Sequence, residues 1–383
     1  MALQIYNTLS RNIELFEPLD NDKVSLYTCG PTVYDYAHIG NFRAYVFGDM
    51  LKRFLQYSDY KVNHVMNITD IDDKTIKNSI EKSESLKNFT KFYTEAFFKD
   101  RDLLNILPAS KYVYATDYIK EMLEMIESLI EKEFAYIEKD GSVYFNIKKV
   151  PNYGKLSHFK ISELKENALG RLKKDEYEKE NAQDFALWKA YDESDGNIFW
   201  EPKEFLDKDT SIKKGRPGWH IECSAMSITN LGETIDLHLG GVDNIFPHHE
   251  NEIAQSESFT GKNFVKYWMH NEFLLVDGKK MAKSAGNFYT LRDIIDKGIN
   301  PLAFRMWLYT AHYRTLTNFS LSALQGSENA LNRLYGAYNA LGGAYNEVNQ
   351  AYKDRFMGYM NDDLDTPKAL ALVWELLKDD SVS

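Results

Sequence analysis

Cys29 and Cys223 are the only cysteines in a chain of 383 residues, and each lies among other residues able to hold a metal. Cys29 stands in Tyr27-Thr-Cys-Gly-Pro-Thr, just upstream of His38-Ile-Gly-Asn. Cys223 stands in Pro217-Gly-Trp-His-Ile-Glu-Cys, with Pro247-His-His-Glu-Asn-Glu downstream. Thiolate and imidazole are the usual ligands of tetrahedral zinc. His248 and Glu252 are one helical turn apart, with Pro247 suited to the first helical position, so they share a face and complete a four-ligand set with both cysteines. His249 is an alternative ligand. A single histidine is more often structural than metal-binding; beside both cysteines, the balance reverses.

Three further segments carry chemistry. His38-Ile-Gly-Asn lies between a strand and a helix, where free helix N–H groups and an imidazole suit a phosphate; the plainer reading is a capping loop. Lys279-Lys-Met-Ala-Lys-Ser-Ala-Gly-Asn follows a strand through an Asp277-Gly278 turn, placing three ammonium groups where they can close over a polyphosphate and neutralise a leaving pyrophosphate. Its alternative is a solvated basic hairpin. Asn67-Ile-Thr-Asp-Ile-Asp-Asp-Lys offers three carboxylates for magnesium or a substrate ammonium, or simply turn formers. Trp219 and His220 suit the wall of a small-molecule pocket beside the metal, although a Trp here equally suits the core.

The elements that position these residues read as an α/β fold. Val24 to Thr28 is a strand, Asn41 to Gln56 has apolar residues at helical spacing, and Lys61 to Asn67 is a second strand. Such a βαβ unit implies a Rossmann-like parallel sheet with its ligand at the carboxyl ends of the strands. The absence of a GxGxxG run disfavours a dinucleotide. The stretch from Lys148 to Gly215 is charged and reads as an irregular, solvated insertion between two halves of the fold. Strand signals resume at Thr234 to Leu239 and Glu272 to Val276. After Tyr289 the pattern is helical: Thr290-Leu-Arg-Asp is a capping box, and Leu321, Leu324, Leu331, Leu334, Tyr338 and Leu341 form an apolar stripe. The expected divisions are 1–147 and 216–289 for the catalytic domain, 148–215 for the insertion and 290–383 for a helical module.

Composition narrows the class. A formal net charge of -11 argues against a broadly basic nucleic-acid coat, so an RNA partner would be held by local Lys and Arg clusters. Two cysteines make no disulfide framework, the N-terminus lacks the order of a signal peptide, and no apolar run reaches the roughly 20 residues of a membrane span. The expectation is a soluble protein of the reducing cytoplasm.

Taken together, Tyr27-Thr-Cys-Gly-Pro-Thr-Val-Tyr-Asp, Asn67-Ile-Thr-Asp-Ile-Asp-Asp-Lys, Gly218-Trp-His-Ile-Glu-Cys-Ser-Ala-Met, Phe246-Pro-His-His-Glu-Asn-Glu-Ile-Ala-Gln-Ser and Lys280-Met-Ala-Lys-Ser resemble the cysteinyl-tRNA synthetases, class I aminoacyl-tRNA synthetases of bacterial type. The resemblance runs from the N-terminus to about Thr366-Pro-Lys-Ala. It implies a ligase that activates L-cysteine with ATP and Mg²⁺ and transfers it to the terminal ribose 2′-hydroxyl of tRNA(Cys), as a monomer without a membrane partner. It also implies one zinc per chain on Cys29, Cys223, His248 and Glu252, selecting the substrate thiolate without an editing domain. His38, Asn41, Lys280 and Lys283 would be catalytic phosphate contacts, joined by Gly40 and Ser284 in binding ATP, and Thr69, Trp219 and His238 would line the cysteine pocket.

Three departures stand out: Asn41 replaces the second histidine usual in the first signature, Ala282 a serine in the second, and Leu239 a common glycine. Asn41 can donate to a phosphate but cannot carry charge. The chain stops within the helical module, short of the anticodon-binding domain the resemblance implies, as a truncated chain would. Two alternatives stay open: a cysteine ligase of the mycothiol pathway, which makes the same adenylate but acts on an amino sugar, and a non-catalytic zinc module presenting helices to RNA.

Overall fold

The structure, a computed structural model, describes residues 2–159, 184–207, 209–281, 286–340 and 348–379. Its centre is a five-stranded parallel sheet of β1 (Lys23–Thr28), β2 (Lys61–Ile68), β3 (Lys111–Tyr114), β4 (Ile235–Gly241) and β5 (Val265–Asn271), in the order β5-β4-β1-β2-β3. The chain winds outward from β1 to one edge, then returns to fill the other side. The order therefore reverses between β1 and β4, which is where an open α/β sheet places its ligand.

Alternation along the strands sends Tyr27, Val65 and Trp268 to one face and Leu26, Met66 and Met269 to the other. Helix α1 (Ile39–Tyr57) covers the second face. Its buried Phe42, Val46, Phe47, Met50, Leu51, Phe54 and Leu55 repeat at the helical period, and a capping box starts it: His38 Nδ1 accepts from the Asn41 amide at 3.1 Å while Asn41 Oδ1 accepts from the His38 amide at 3.0 Å. Helices α2 (Trp219–Leu231) and α3 (Glu250–Thr260) contribute to the core on the Tyr27 face and pack against each other.

The edge strand β5 corrects the sequence reading. Its Val265-Lys-Tyr-Trp-Met-His-Asn run is almost wholly buried and lacks the alternation of a half-exposed strand, and the signal at Glu272 to Val276 resolves into a separate short strand, Leu274–Val276. The segment expected to be irregular also contains regular structure. Ala135–Ile137, Val143–Phe145, Phe185–Ala190 and Gly215–Pro217 lie side by side in that order in an antiparallel four-stranded sheet. Trp188, at the centre of that sheet, is fully buried. Residues 160–183 lie outside the described residues.

Leu274–Val276 turns back through Asp277 (φ 49°) and Gly278 (φ 75°) to Lys279–Lys280, the tight hairpin expected between strand and lysines. The capping box at Thr290 is present and opens Leu291–Asp296. Of the apolar stripe on Leu321–Ala340, Leu324 and Leu331 are buried but Tyr338 is exposed, and Leu341 lies outside the described residues. Asp363 ties the C-terminal helices to the N-terminal strand Gln4–Asn7 and to the loop before Thr317–Phe319: its carboxylate accepts from the Tyr6 amide, the Tyr313 hydroxyl and the Arg314 guanidinium. Among the described residues no helix is long and apolar enough to cross a membrane.

Candidate metal centre and active site

The two cysteines meet at the carboxyl end of the sheet. Cys29 follows β1 directly, Cys223 lies inside α2, and His248 and Glu252 sit in the turn that leads into α3 and at its start. One ligand atom from each of these four lies within 4.8 Å of the others. Phe246 is extended (φ -136°, ψ 131°), so the helical turn carrying His248 and His249 begins at Pro247, ahead of the regular helix. Gly30 admits the loop: a Cβ there would stand 1.7 Å from the Asn67 carbonyl oxygen.

A second set, Cys29, His238, His249 and Glu252, satisfies the same distance. Geometry alone thus permits either histidine of the pair, as the sequence did. The surroundings differ. His248 Nε2 is 2.9 Å from Glu252 Oε1, and its Nδ1 is 2.9 Å from His220 Nδ1. His249 has Nε2 at 3.3 Å from Cys29 Sγ and Nδ1 at 2.8 Å from His270 Nε2, which continues to Thr8 Oγ1 at 2.8 Å. Glu252 Oε1 makes no hydrogen bond despite its 2.9 Å approach to His248. Two donors that converge without hydrogen-bond alignment have the geometry of ligands sharing an ion.

Electrostatics agrees with a cation receptor. Burial opposes ionisation of Glu252, yet the His238 and His248 rings bring its pKa down to about 2. Burial likewise opposes charge on His248, but Glu252 and Cys223 push its pKa up to about 10. Burial pushes His220 and His249 well below the usual imidazole range and His270 to about 3, so these remain neutral. Contact with Cys29 and burial raise the Cys223 thiol. Cys29 is also raised, burial and Glu252 outweighing the contact with Cys223. With Glu252 ionised and His248 held protonated beside it, positive charge already stands where an ion would.

The proposed cysteine-pocket residues surround this centre differently. Trp219 is half-buried and stacks on His248, ring centroids 4.0 Å apart at 18°. His238 is fully buried behind Glu252, with Nε2 2.9 Å from Oε2. Thr69 is buried and occupied. It donates to Glu222 Oε2 at 3.1 Å and accepts from Asn67 Nδ2 at 3.0 Å, while Asn67 Oδ1 accepts from the Gly30 amide at 2.8 Å.

This chain of bonds joins the residue after Cys29 to the residue before Cys223, a role for Asn67 and Glu222 that the sequence reading missed. Glu250 was missed too. Buried at the start of α3, it accepts from the amides of Gly154, Leu156 and Ser157 and from the Ser157 hydroxyl, fastening the loop of residues 154–157 to α3. The only signal for Glu222 and Glu250 was their adjacency to the candidate ligands.

The acidic segment after β2 holds its own fold together. Asp70 accepts from Thr116, Asp72 caps the helix Asp73–Glu81, and Asp73 pairs with Lys189 and Arg216. Turn formers and ion-pair partners account for it better than magnesium ligands.

At the first signature, two of the opening amides of α1 are already bonded: Ile39 donates to the Tyr289 carbonyl at 2.9 Å and Asn41 to His38. Phe288 packs edge-on against the His38 ring at 5.2 Å, and Met281 lies against Gly40. Both flanks of the lysine loop therefore rest on the first signature. Of the predicted phosphate contacts, Lys280 is placed by its backbone in the hairpin, and Lys283 and Ser284 lie outside the described residues.

Comparison with known proteins accords with this arrangement. The family model described as tRNA synthetases class I (C) catalytic domain matches residues 15–329. The cysteine–tRNA ligase of Chlamydia muridarum is 55% identical over 335 residues, covering 87% of this chain and 68% of that protein. That of Brachyspira hyodysenteriae is 54% identical over 329 residues, covering 86% and 68%. Among solved structures, Mycobacterium tuberculosis methionyl-tRNA synthetase in complex with methionyl-adenylate superposes with a TM-score of 0.67 at 14% identity, over 93% of this chain and 82% of that one. A ternary complex of LeuRS from Agrobacterium radiobacter K84 gives 0.66 at 9% identity, over 94% and 80%. The distant structures speak for the fold, the close relatives for the branch within it, and by both the chain belongs to the class I cysteinyl-tRNA synthetase family.

Proposed function

We propose that this chain activates L-cysteine with ATP and transfers it to the 3′-terminal ribose of tRNA(Cys), with Cys29, Cys223, His248 and Glu252 holding a zinc ion that selects the substrate thiolate. The observation that carries the metal reading is the convergence of those four donors within 4.8 Å at the switch point of the sheet. This set is preferred because it uses both cysteines, the softest donors present. Zinc bound there would supply a Lewis acid that takes a thiolate in preference to a hydroxyl. A steric pocket alone separates similar side chains by only about 1–3 kcal/mol.

The chain's own residues do the rest. Trp219, stacked on His248, walls the substrate side, while Thr69 and His238 hold the surrounding groups in place. A carboxylate oxygen of cysteine bonds to the α-phosphorus of ATP as the bond to pyrophosphate breaks. The ribose hydroxyl then bonds to the adenylate carbonyl carbon, giving up its proton as AMP leaves. His38, Gly40, Asn41 and Ser284 bind the phosphates of Mg²⁺-ATP, and Lys280 and Lys283 neutralise charge as pyrophosphate departs. An ATP–pyrophosphate exchange assay with cysteine and serine tests activation; exchange is expected with cysteine alone, and none with either would overturn the reading. Offering the formed adenylate tRNA(Cys) or an amino sugar then separates the two ligase readings, and transfer only to the sugar would reassign the acceptor.

A further inference from the structure

Tyr27 is unaccounted for by this chemistry. It lies two residues before Cys29 on β1, and its register partner on β4 is His238, which in turn pairs with Trp268 on β5. The three form a row across the sheet beneath α2 and α3, with the Tyr27 and His238 ring centroids 5.0 Å apart. Tyr27 has no exposed surface, and its hydroxyl, although it approaches the Cys223 thiol, makes no hydrogen bond of ordinary geometry among the described residues. The groups it faces are the Cys223 and Cys29 thiols and the Glu252 carboxylate.

A buried hydroxyl left unbonded is costly, so its persistence in a well-packed core points to an acceptor that is present only in another state. A neutral thiol is a weak acceptor, whereas a thiolate is a strong one.

We propose that Tyr27 is a positioning residue of the metal centre, whose hydroxyl donates a hydrogen bond to the Cys223 sulfur once that sulfur is a metal-bound thiolate. This rests on the zinc reading above. The bond would fix the orientation of the ligand sulfur and withdraw electron density from it, leaving the ion a stronger acceptor for a further thiolate. The phenol, held rigidly by the sheet, does this without moving.

Tyr27→Phe deletes the oxygen and keeps the ring. Zinc affinity, measured by chelator competition, should fall about 10- to 100-fold, and the thiolate-to-metal charge-transfer band of the cobalt-substituted protein should shift. The denaturation midpoint of the metal-free variant should equal or exceed that of the wild type, since no bond is lost there. Unchanged zinc affinity with an unchanged cobalt spectrum would overturn the assignment. So would a variant that keeps its zinc but loses cysteine affinity, which would place the hydroxyl on the substrate. If carefully prepared wild-type protein takes up no zinc or cobalt, the metal reading itself fails, and that result is distinct from both.

Discussion

At the residue scale, the metal centre is a competition between an ion and protons. His248 is held protonated by Glu252 and Cys223 up to a pKa of about 10, and both thiols are raised above their usual range. Zinc must therefore displace at least one proton at neutral pH. The sign follows directly: below pH 10 the protonated imidazole opposes binding, and each unit of rising pH relieves that opposition by up to tenfold per proton released. Apparent zinc affinity should accordingly climb by about tenfold or more per unit from pH 6 to 8, read by chelator competition in buffers of matched ionic strength. A flat profile would show that the ligands are already deprotonated. The companion effect falls on His220 and His249, which burial keeps neutral, so they remain hydrogen-bonding supports and add no charge across this range.

At the element scale, α1 must be held against the hairpin that carries the lysine loop, and one buried residue does this. Arg43 donates to the carbonyls of Phe273 (2.5 Å), Tyr313 (3.2 Å) and Thr315 (2.5 Å), the segments that lead into Leu274–Val276 and Thr317–Phe319. Burial lowers its pKa to about 10, yet it remains charged at neutral pH. Arg43→Ala leaves those carbonyls without their donor and frees the two signatures to drift. The expected result is a fall of about 10- to 100-fold in the pyrophosphate-exchange turnover number, with zinc content and cysteine KM little changed, because a displacement of about 1 Å costs this much. Arg43→Lys should rescue only part, since an ammonium lacks the planar fork that spans three acceptors. Equal losses in zinc content and turnover would instead indicate a general failure of folding.

At the scale of the molecule, the four proposed ligands come from the loop after β1, the middle of α2 and the start of α3, so an ion there would fasten two helices to the central sheet. Binding only the folded chain, zinc at about 100 times its dissociation constant should stabilise by about 2.7 kcal/mol. For a chain of this length that corresponds to a rise in Tm of roughly 3 °C, measured by thermal scans with zinc and with chelator. Identical Tm values would mean that the ligands are not bridged. The polar bonds between α2 and α3, Gln255 to the His220 carbonyl and to Ser224, and Ser256 to Ser224, are buried and short. They set the two helices at a fixed spacing before any ion arrives.

The chemistry of the site was legible in the sequence because residue type decides it: two cysteines, a His-Glu pair one turn apart and lysines after a strand can be read without coordinates. Local structure was legible where it depends on neighbours in the chain, as in the βαβ start, the Asp277-Gly278 hairpin and the Thr290 capping box. Tertiary structure decided what depends on contacts between distant segments. It made β5 an edge of the main sheet although its run lacks alternation, and paired strands within a segment that reads as merely charged. It spread Asp70, Asp72 and Asp73 over unrelated partners, and brought His238 and His249 as close to the centre as His248. The unbonded Tyr27 hydroxyl belongs to the same class, since alternation on β1 gives its face but only the helices packed above it determine which atoms that face meets.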